Sequence, residues 1–301
     1  MYDLIVIGGG PAGLTAMVYA IRKRLNVLLV SPDLGGKTNF HLELPDQEQH
    51  QVIRGAEVVD RFKSELEYLN FTRIMERVER VTHEDGVFTV TTSSGSELEA
   101  RAVIYATGAR QQWLDVPGER EYLSRGLCYS AISYAPLFIG KRTVVIGDGE
   151  LALRAAGELA TVAEHVHVVG PTGAVLESAL GQKLQRSENV TILEGRRVSK
   201  VLGNGYCNRV VVDGEGQEEF ELAADGTFVE MALLPNSQPV AELVQLDDQD
   251  RIKINSLNQT STPGLFAAGD VTTICTEQVL VAVGEGAKAA LSAYDYLLPH
   301  L

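Results

Sequence analysis

Cysteine is scarce. Only Cys128, Cys207 and Cys275 occur in 301 residues. That is too few for a disulfide framework, and none sits in a CxxC or metal-knuckle spacing. The usage points to a reducing, cytoplasmic setting and to no metal site. Basic charge is short as well, with 26 Lys+Arg against 40 Asp+Glu, a formal charge of −14. Phosphate-backbone binding relies on Lys and Arg, so nucleic acid is excluded as the main partner. No apolar run approaches the roughly 18 residues of a membrane span. The N-terminus enters a strand at once, so neither a membrane partner nor a signal peptide is expected. Low-complexity tracts and charge blocks are missing and proline is limited to 10 residues, which removes the disordered and fibrous classes.

What is present is a turn-rich globular chain, with 45% hydrophobic side chains and 29 glycines. At about 100–200 residues per domain, its length suits two domains. Residues 3–7 (DLIVI) are short and continuously apolar, the pattern of a buried parallel strand. Gly8-Gly9-Gly10-Pro11-Ala12-Gly13 follows, then a helical stretch and a strand at 27–30, together a βαβ unit. The pattern recurs later: a strand at 143–146, the turn Gly147-Asp148-Gly149-Glu150-Leu151-Ala152, a helix over 151–163 and a strand at 165–169. Residues 71–104 and 190–231 alternate as β-ribbons do, and a long helix is predicted over roughly 277–297. Junctions are expected near 116/117 and 245/246. The fold is then α/β, with residues 1–116 and 246–301 forming one domain and 117–245 an inserted second.

Gly8-x-Gly10-x-x-Gly13 stands where a dinucleotide site needs it, after a strand and opening a helix. Gly8 permits the tight turn, Gly10 admits a diphosphate to the backbone, and Gly13 lets helix and strand pack closely. The helix start adds unpaired N–H groups. The acid expected about 20 residues on is Ser31, with Asp33 two residues later; either can bond a ribose hydroxyl, and neither argues for a 2′-phosphate.

Several ordered motifs now coincide: GGGPAG at 8–13, GGKTN at 35–39, ATGA at 106–109, PNS at 235–237, TPGLFAAGDV at 262–271 and Gln278-Val279. Together they resemble the thioredoxin reductase branch of two-dinucleotide-domain flavoproteins over essentially the whole length. The resemblance implies two Rossmann-like, three-layer ββα domains, a homodimer and a tightly bound FAD. It places FAD against Gly8, Gly10, Pro11, Ala12, Gly13 and Ser31, the loop Gly36, Lys37 and Thr38, Val78, and Ala106, Thr107 and Gly108. Gly269 and Asp270 would hold the ribityl chain, and Gln278 and Val279 would face the flavin pyrimidine.

The chain departs from that family in two places. Where the reductases carry CxxC-Asp, this chain reads Cys128-Tyr129-Ser130-Ala131-Ile132-Ser133-Tyr134, with serines at both cysteine positions. Serine cannot cycle between dithiol and disulfide, so ordinary thioredoxin reduction is unavailable. The second glycine turn survives, with Gly147, Gly149, Glu150 and Leu151 as candidate dinucleotide contacts. The basic run that grips a 2′-phosphate is replaced by Gly170-Pro171-Thr172-Gly173, which removes the charge-assisted contacts for NADPH. Glu150 would repel a phosphate unless it points away. A second FAD, or another dinucleotide, is therefore expected there.

Cys207 reads as a bystander in a hairpin turn. Cys128 precedes the altered motif by two residues, and Cys275 lies between GDV and Gln278. Each alone reads as a small buried hydrophobe. Flanking the flavin together, in a chain without the CxxC, they are read as a redox pair exchanging electrons with FAD. Such a pair needs a thiol below the ordinary pKa of about 8.5 and Cα atoms within about 4.4–6.8 Å. This combination is similar to the cyanobacterial diflavin-linked disulfide oxidoreductases. Two other functions stay open: an NAD(P)H-dependent flavin reductase of a small acceptor, and a non-catalytic flavin-binding sensor. The redox partner, small molecule or protein, is unspecified.

Overall fold

A computed structural model describes residues 1–39, 55–68, 73–214, 216–274 and 276–301. Its contacts fall into two compact units. The chain opens with β1 (Tyr2–Ile7), a glycine turn, α1 (Pro11–Arg22) and β2 (Val27–Val30). Next come α2 (Gly55–Tyr68), β3 (Arg73–Ile74), β4 (Val78–Glu84), β5 (Val87–Thr92), β6 (Glu97–Tyr105) and β7 (Ala109–Gln111). The middle of the chain holds α3 (Glu119–Tyr122), β8 (Leu127–Cys128), α4 (Ala131–Tyr134), β9 (Arg142–Ile146), α5 (Glu150–Leu159) and β10 (His165–Gly170). It continues through α6 (Gly173–Leu176), α7 (Ala179–Gln185), β11 (Val190–Glu194), β12 (Arg197–Gly203), β13 (Cys207–Gly214), β14 (Gln217–Ala223) and β15 (Gly226–Val229). The last elements are β16 (Leu233–Pro235), β17 (Leu265–Ala267) and α8 (Val279–Leu297).

In the first unit the nine-residue β6 pairs with three strands along its length. Its early part runs antiparallel to β5, from Thr91↔Glu97 to Phe88↔Ala100. Its later part runs parallel to β1, from Leu4↔Ala102 to Ile7↔Tyr105, and parallel to β17. One strand thus belongs to both a parallel sheet and the antiparallel meander β4–β5–β6. Because successive side chains of a strand point to opposite faces, Leu4, Val6, Leu29 and Ile104 join the core under α1 and α8. Ile5, Ile7, Leu28 and Tyr105 join the core under the meander, with Val81, Phe88 and Val90. A strand buried on both faces has no polar side, which is why DLIVI is continuously apolar.

The second unit repeats the three layers. Its parallel sheet runs β11-β10-β9-β15-β8, and β12-β13-β14 forms the meander. Val145, Val166, Val168 and Phe228 face the helices, while Val144, Ile146, Val169 and Val229 face the meander. The expected architecture, two Rossmann-like units with the second inserted into the first, is the one observed.

The chain passes between units at 110/111 and at 233/234, upstream of the junctions expected at 116/117 and 245/246. Two packing facts account for the shift. Leu114 and Val116 pack on the second unit's meander core, and Val240 is buried in the first unit's core. The helix expected over 151–163 closes at Leu159, where turn bonds such as Thr161 N–H to the Glu158 carbonyl take over. The last helix begins at Val279 after Gln278, which holds extended backbone. Among the described residues no helix is long and apolar enough to cross a membrane.

Candidate functional site

The first glycine turn is built as the sequence predicts. Gly8 sits at φ +110°. A Cβ at Gly13 would lie 1.8 Å from the Gly8 carbonyl oxygen, so only glycine allows α1 to start this close to β1. Gly10 is the N-cap and supplies no capping side chain, leaving first-turn amides of α1 for an anion. A Cβ at Gly10 would meet nothing within 4 Å. Open space beside free helix-start amides fits a diphosphate.

The neighbouring segments close around that turn. Ser31 is buried, its Oγ accepting from Gly9 N–H at 2.8 Å and donating to the Asp33 carbonyl at 2.7 Å. Its hydroxyl therefore braces the glycine turn. Asp33 in turn accepts from Gly36 N–H at 2.9 Å, and Gly35 N–H bonds the Gly9 carbonyl. In the short 3₁₀ turn Gly36–Asn39, Thr38 Oγ1 bonds the Gly35 carbonyl and Lys37 reaches outward. Lys37 Nζ lies 2.7 Å from Asp270 Oδ2 and 3.2 Å from Glu277 Oε2.

The three charges are coupled. Burial works against the Lys37 ammonium, yet the charges of Asp270 and Glu277 outweigh it and hold its pKa above the ordinary value. Burial, with the charge of Asp270 adding, pushes the Glu277 carboxyl up against the opposing pull of Lys37. Asp270 follows Gly269, which has φ +76° and where an added Cβ would lie 3.2 Å from the Ala12 Cβ. Gln278 and Val279 open α8 just beyond Glu277.

The ATG segment is locked by Asn236, a residue with no role assigned from the sequence. The Asn236 carbonyl accepts from Tyr105 OH at 2.7 Å and from Thr107 Oγ1 at 3.0 Å. Asn236 Nδ2 donates to the Thr107 carbonyl, and its N–H bonds the Gly108 carbonyl. Ala106 N–H continues the sheet to Ile7. The motif PNS was visible in sequence, but its contact with residues 105–108 is made across the fold. Val78 opens β4 and is buried in the meander-side core, away from the bonds just described.

The second glycine turn sits between β9 and α5. A Cβ at Gly147 would lie 2.2 Å from the Glu230 carbonyl oxygen, whereas one at Gly149 would meet nothing within 4 Å. Gly149 is again an N-cap without a capping side chain. Glu150 pairs with Arg154 one turn on, at 3.6 Å, and is largely exposed. Leu151 follows it in the first turn of α5.

A cavity of about 560 Å³ opens at the carboxyl ends of these strands, lined by Gly147, Asp148, Gly170, Trp113, Arg196, Arg197 and Asp213 among others. It lies where the strand order departs to either side of β9, the place at which open α/β sheets bind ligands. The two arginines escape a sequence-based expectation that looks for charge only after β10. Arg196-Arg197 stands in the sequence, but the register of β10 on β11 and of β12 on β13 carries it to the cavity. Arg197 Nε bonds Asp213 Oδ1 at 2.8 Å, and Arg196 donates to the Glu218 carbonyl. Both arginines therefore arrive already engaged, one by a carboxylate.

Of the cysteine pair expected from the sequence, Cys128 lies among the described residues. Cys128 is a free thiol buried in the helix-side core of the second unit. Burial pushes that thiol far above its ordinary pKa, a backbone hydrogen bond from Ser130 opposes the shift, and the charge of Glu230 adds to it. Thiolate chemistry needs the opposite shift. Cys275 lies outside the described residues. Cys207 is fully buried at the start of β13, its Sγ 3.5 Å from Thr227 Oγ1, a packing residue. At the altered motif Ser130 is the N-cap of α4, and the Glu230 carboxylate accepts from Ala131 N–H at 2.7 Å.

Two glycine turns, each joining the end of a parallel strand to a helix, define a three-layer α/β protein with two Rossmann-like units of the dinucleotide-binding type. The chain belongs to the pyridine nucleotide-disulphide oxidoreductase family, which it matches over residues 2–286. That family is one of FAD-binding oxidoreductases. The chain is 35% identical over 303 residues to a subunit of the alkyl hydroperoxide reductase from Pseudomonas putida, covering 99% of this chain and 58% of that protein. It is 32% identical over 300 residues to an NADH dehydrogenase of Bacillus subtilis, covering 99% of this chain and 59% of that one. The chain thus spans well under two thirds of the length of these relatives. The thioredoxin reductase of Streptococcus pyogenes superposes with a TM-score of 0.90 at 30% identity, covering 99% of both chains.

Proposed function

We propose that this protein transfers electrons between FAD bound at the Gly8–Gly13 turn and a second dinucleotide bound at the Gly147 cavity, without a protein dithiol. The observation that carries the reading is the pairing of an intact glycine turn and cavity in the second unit with a buried, proton-holding Cys128. The flavin supplies the two-electron chemistry. The chain holds the diphosphate on α1, the ribityl chain at Asp270, and the flavin edge near the start of α8. Val78 and Ser31 would then serve the adenosine end, Ser31 by bracing Gly9.

The second dinucleotide is one whose ribose carries no 2′-phosphate, FAD or NADH. Asp213 neutralises Arg197, and Asp148 adds a further acid to the cavity wall, so the site offers little net cationic charge. The name of the Bacillus relative is in keeping with NADH. By the same family pattern the protein acts as a homodimer in a reducing compartment, its external redox partner a small molecule or a protein.

The test is the flavin-to-protein ratio of purified material, with chromatography of the released cofactor. Two FAD per chain establish the diflavin form. One FAD per chain, with bleaching by NADH but not NADPH under anaerobic conditions, establishes the NADH form. One FAD with no response to either nucleotide leaves the non-catalytic flavin binder. Exchange of electrons with a Cys128–Cys275 disulfide is checked separately. Cys128→Ala is expected to cost about 1 kcal/mol of stability and to leave the midpoint potential and reduction rate of the flavin unchanged. A lost phase of flavin reduction would restore the cysteine pair.

A further inference from the structure

Trp113 is the single tryptophan of the chain, and it lines the second-unit cavity. Its surroundings fix it in place. The Glu119 side chain is almost wholly buried, yet its carboxylate serves the segment beside Trp113. One oxygen accepts from Leu114 N–H at 2.8 Å and the other from Asp115 N–H at 2.7 Å. The oxygen that takes Leu114 N–H also accepts from Tyr129 OH at 2.6 Å. Tyr129 then meets the indole edge-on, with centroids 5.4 Å apart at 71°. The Arg120 guanidinium stands 5.3 Å from the indole centroid. A carboxylate buried this way is costly unless it is fully bonded. Here three donors meet it, from the two residues that follow Trp113 and from the tyrosine packed on its indole.

We infer that Trp113 is a stacking wall for a planar ring of the dinucleotide held at the Gly147 turn, and that Glu119 is a positioning residue that presents it. The inference rests on the reading of that cavity as a dinucleotide site. The chemical argument is one of complementarity. A dinucleotide needs a place for its diphosphate and a face for each ring. The uncapped start of α5 serves the diphosphate. Among the lining side chains Trp113 is the aromatic one, and an indole fixed in advance stacks without losing rotamer freedom on binding. Both adenine and isoalloxazine present such a ring, so the chemistry is shared and experiment separates them.

Because the chain has one tryptophan, its emission reports on this residue alone. Protein carrying one FAD per chain, with any FAD bound in the Gly147 cavity first removed by dialysis, is titrated with ADP, which carries only adenine, and with FMN, which carries only isoalloxazine. At least one is expected to quench the Trp113 emission on binding, and the quenching ligand identifies the ring. Trp113→Ala is expected to weaken that ligand about tenfold to a hundredfold by calorimetry, the range of a lost stacking partner. Trp113→Phe is expected to retain most of the affinity. Glu119→Gln is expected to shift the emission of the unliganded protein and to weaken the same ligand while Trp113 remains. Binding by calorimetry with no change in emission, or with unchanged affinity in Trp113→Ala, overturns the stacking role alone. Failure of both ligands to bind overturns the dinucleotide reading of the cavity, and the stacking role with it.

Discussion

Gly10→Val is expected to leave the first unit folded and to strip it of FAD, whereas Gly13→Ala is expected to damage both. The two glycines differ in what a side chain would meet. At Gly10 the backbone lies at φ −74°, a conformation open to any residue, and a Cβ has open space. That space is where a diphosphate approaches the backbone. Valine there keeps the melting temperature near the parent value but blocks the approach, and FAD affinity falls more than about a hundredfold, or some 3 kcal/mol. At Gly13 the added Cβ would stand 1.8 Å from a backbone oxygen. The turn or the helix must shift, at a cost of about 3 kcal/mol or more, the upper end of overpacking. Flavin absorbance per chain and a thermal melt, read together, separate the cases. A Gly10→Val protein with its full complement of FAD would remove this turn from the flavin site.

Lys37→Met is expected to weaken FAD retention in a manner that depends on pH. The ammonium bridges Asp270 and Glu277. Without it two carboxylates adjoin at the place proposed for the ribityl chain and an anionic diphosphate. Charge-assisted hydrogen bonds contribute about 1.5–3 kcal/mol. Lys37 is more than a third exposed, so the lower end applies after screening, and the loss at pH 8 is about tenfold. The sign of the pH effect follows from Glu277. Its carboxyl already lies above the ordinary value through burial and the charge of Asp270, and Lys37 is the group that opposes the shift. Removing Lys37 raises it further. Acidification then protonates Glu277 in the variant and cancels one of the two negative charges. The deficit relative to the parent protein should shrink as pH falls from 8 towards 5.5. A deficit of constant size across that range would mean that Lys37 acts by shape and not by charge.

Local chemistry settled much of this protein in advance. The apolar run at 3–7, the glycine spacing at 8–13 and again at 147–152, and the order of the flavoprotein motifs needed only nearest neighbours and strand alternation to be legible. Those features determined two three-layer units, one inserted in the other, with each glycine turn at the end of a parallel strand. The scarcity of cysteine and the serines at 130 and 133 were equally plain.

Tertiary structure decided what depends on which strands become neighbours. Arg196 and Arg197 reach the second cavity through the pairing of β10, β11, β12 and β13. Asp213 joins Arg197 from the adjacent strand, so the charge of that cavity could not be counted along the chain. Asn236 ties itself to Tyr105, Thr107 and Gly108 over more than 120 residues of separation. Cys128 is the sharpest instance. Its place in the sequence marked it as a redox candidate, but a thiol's acidity is set by solvent and by nearby charge. Packing in the core of the second unit removes the solvent and leaves Glu230 as a repelling neighbour.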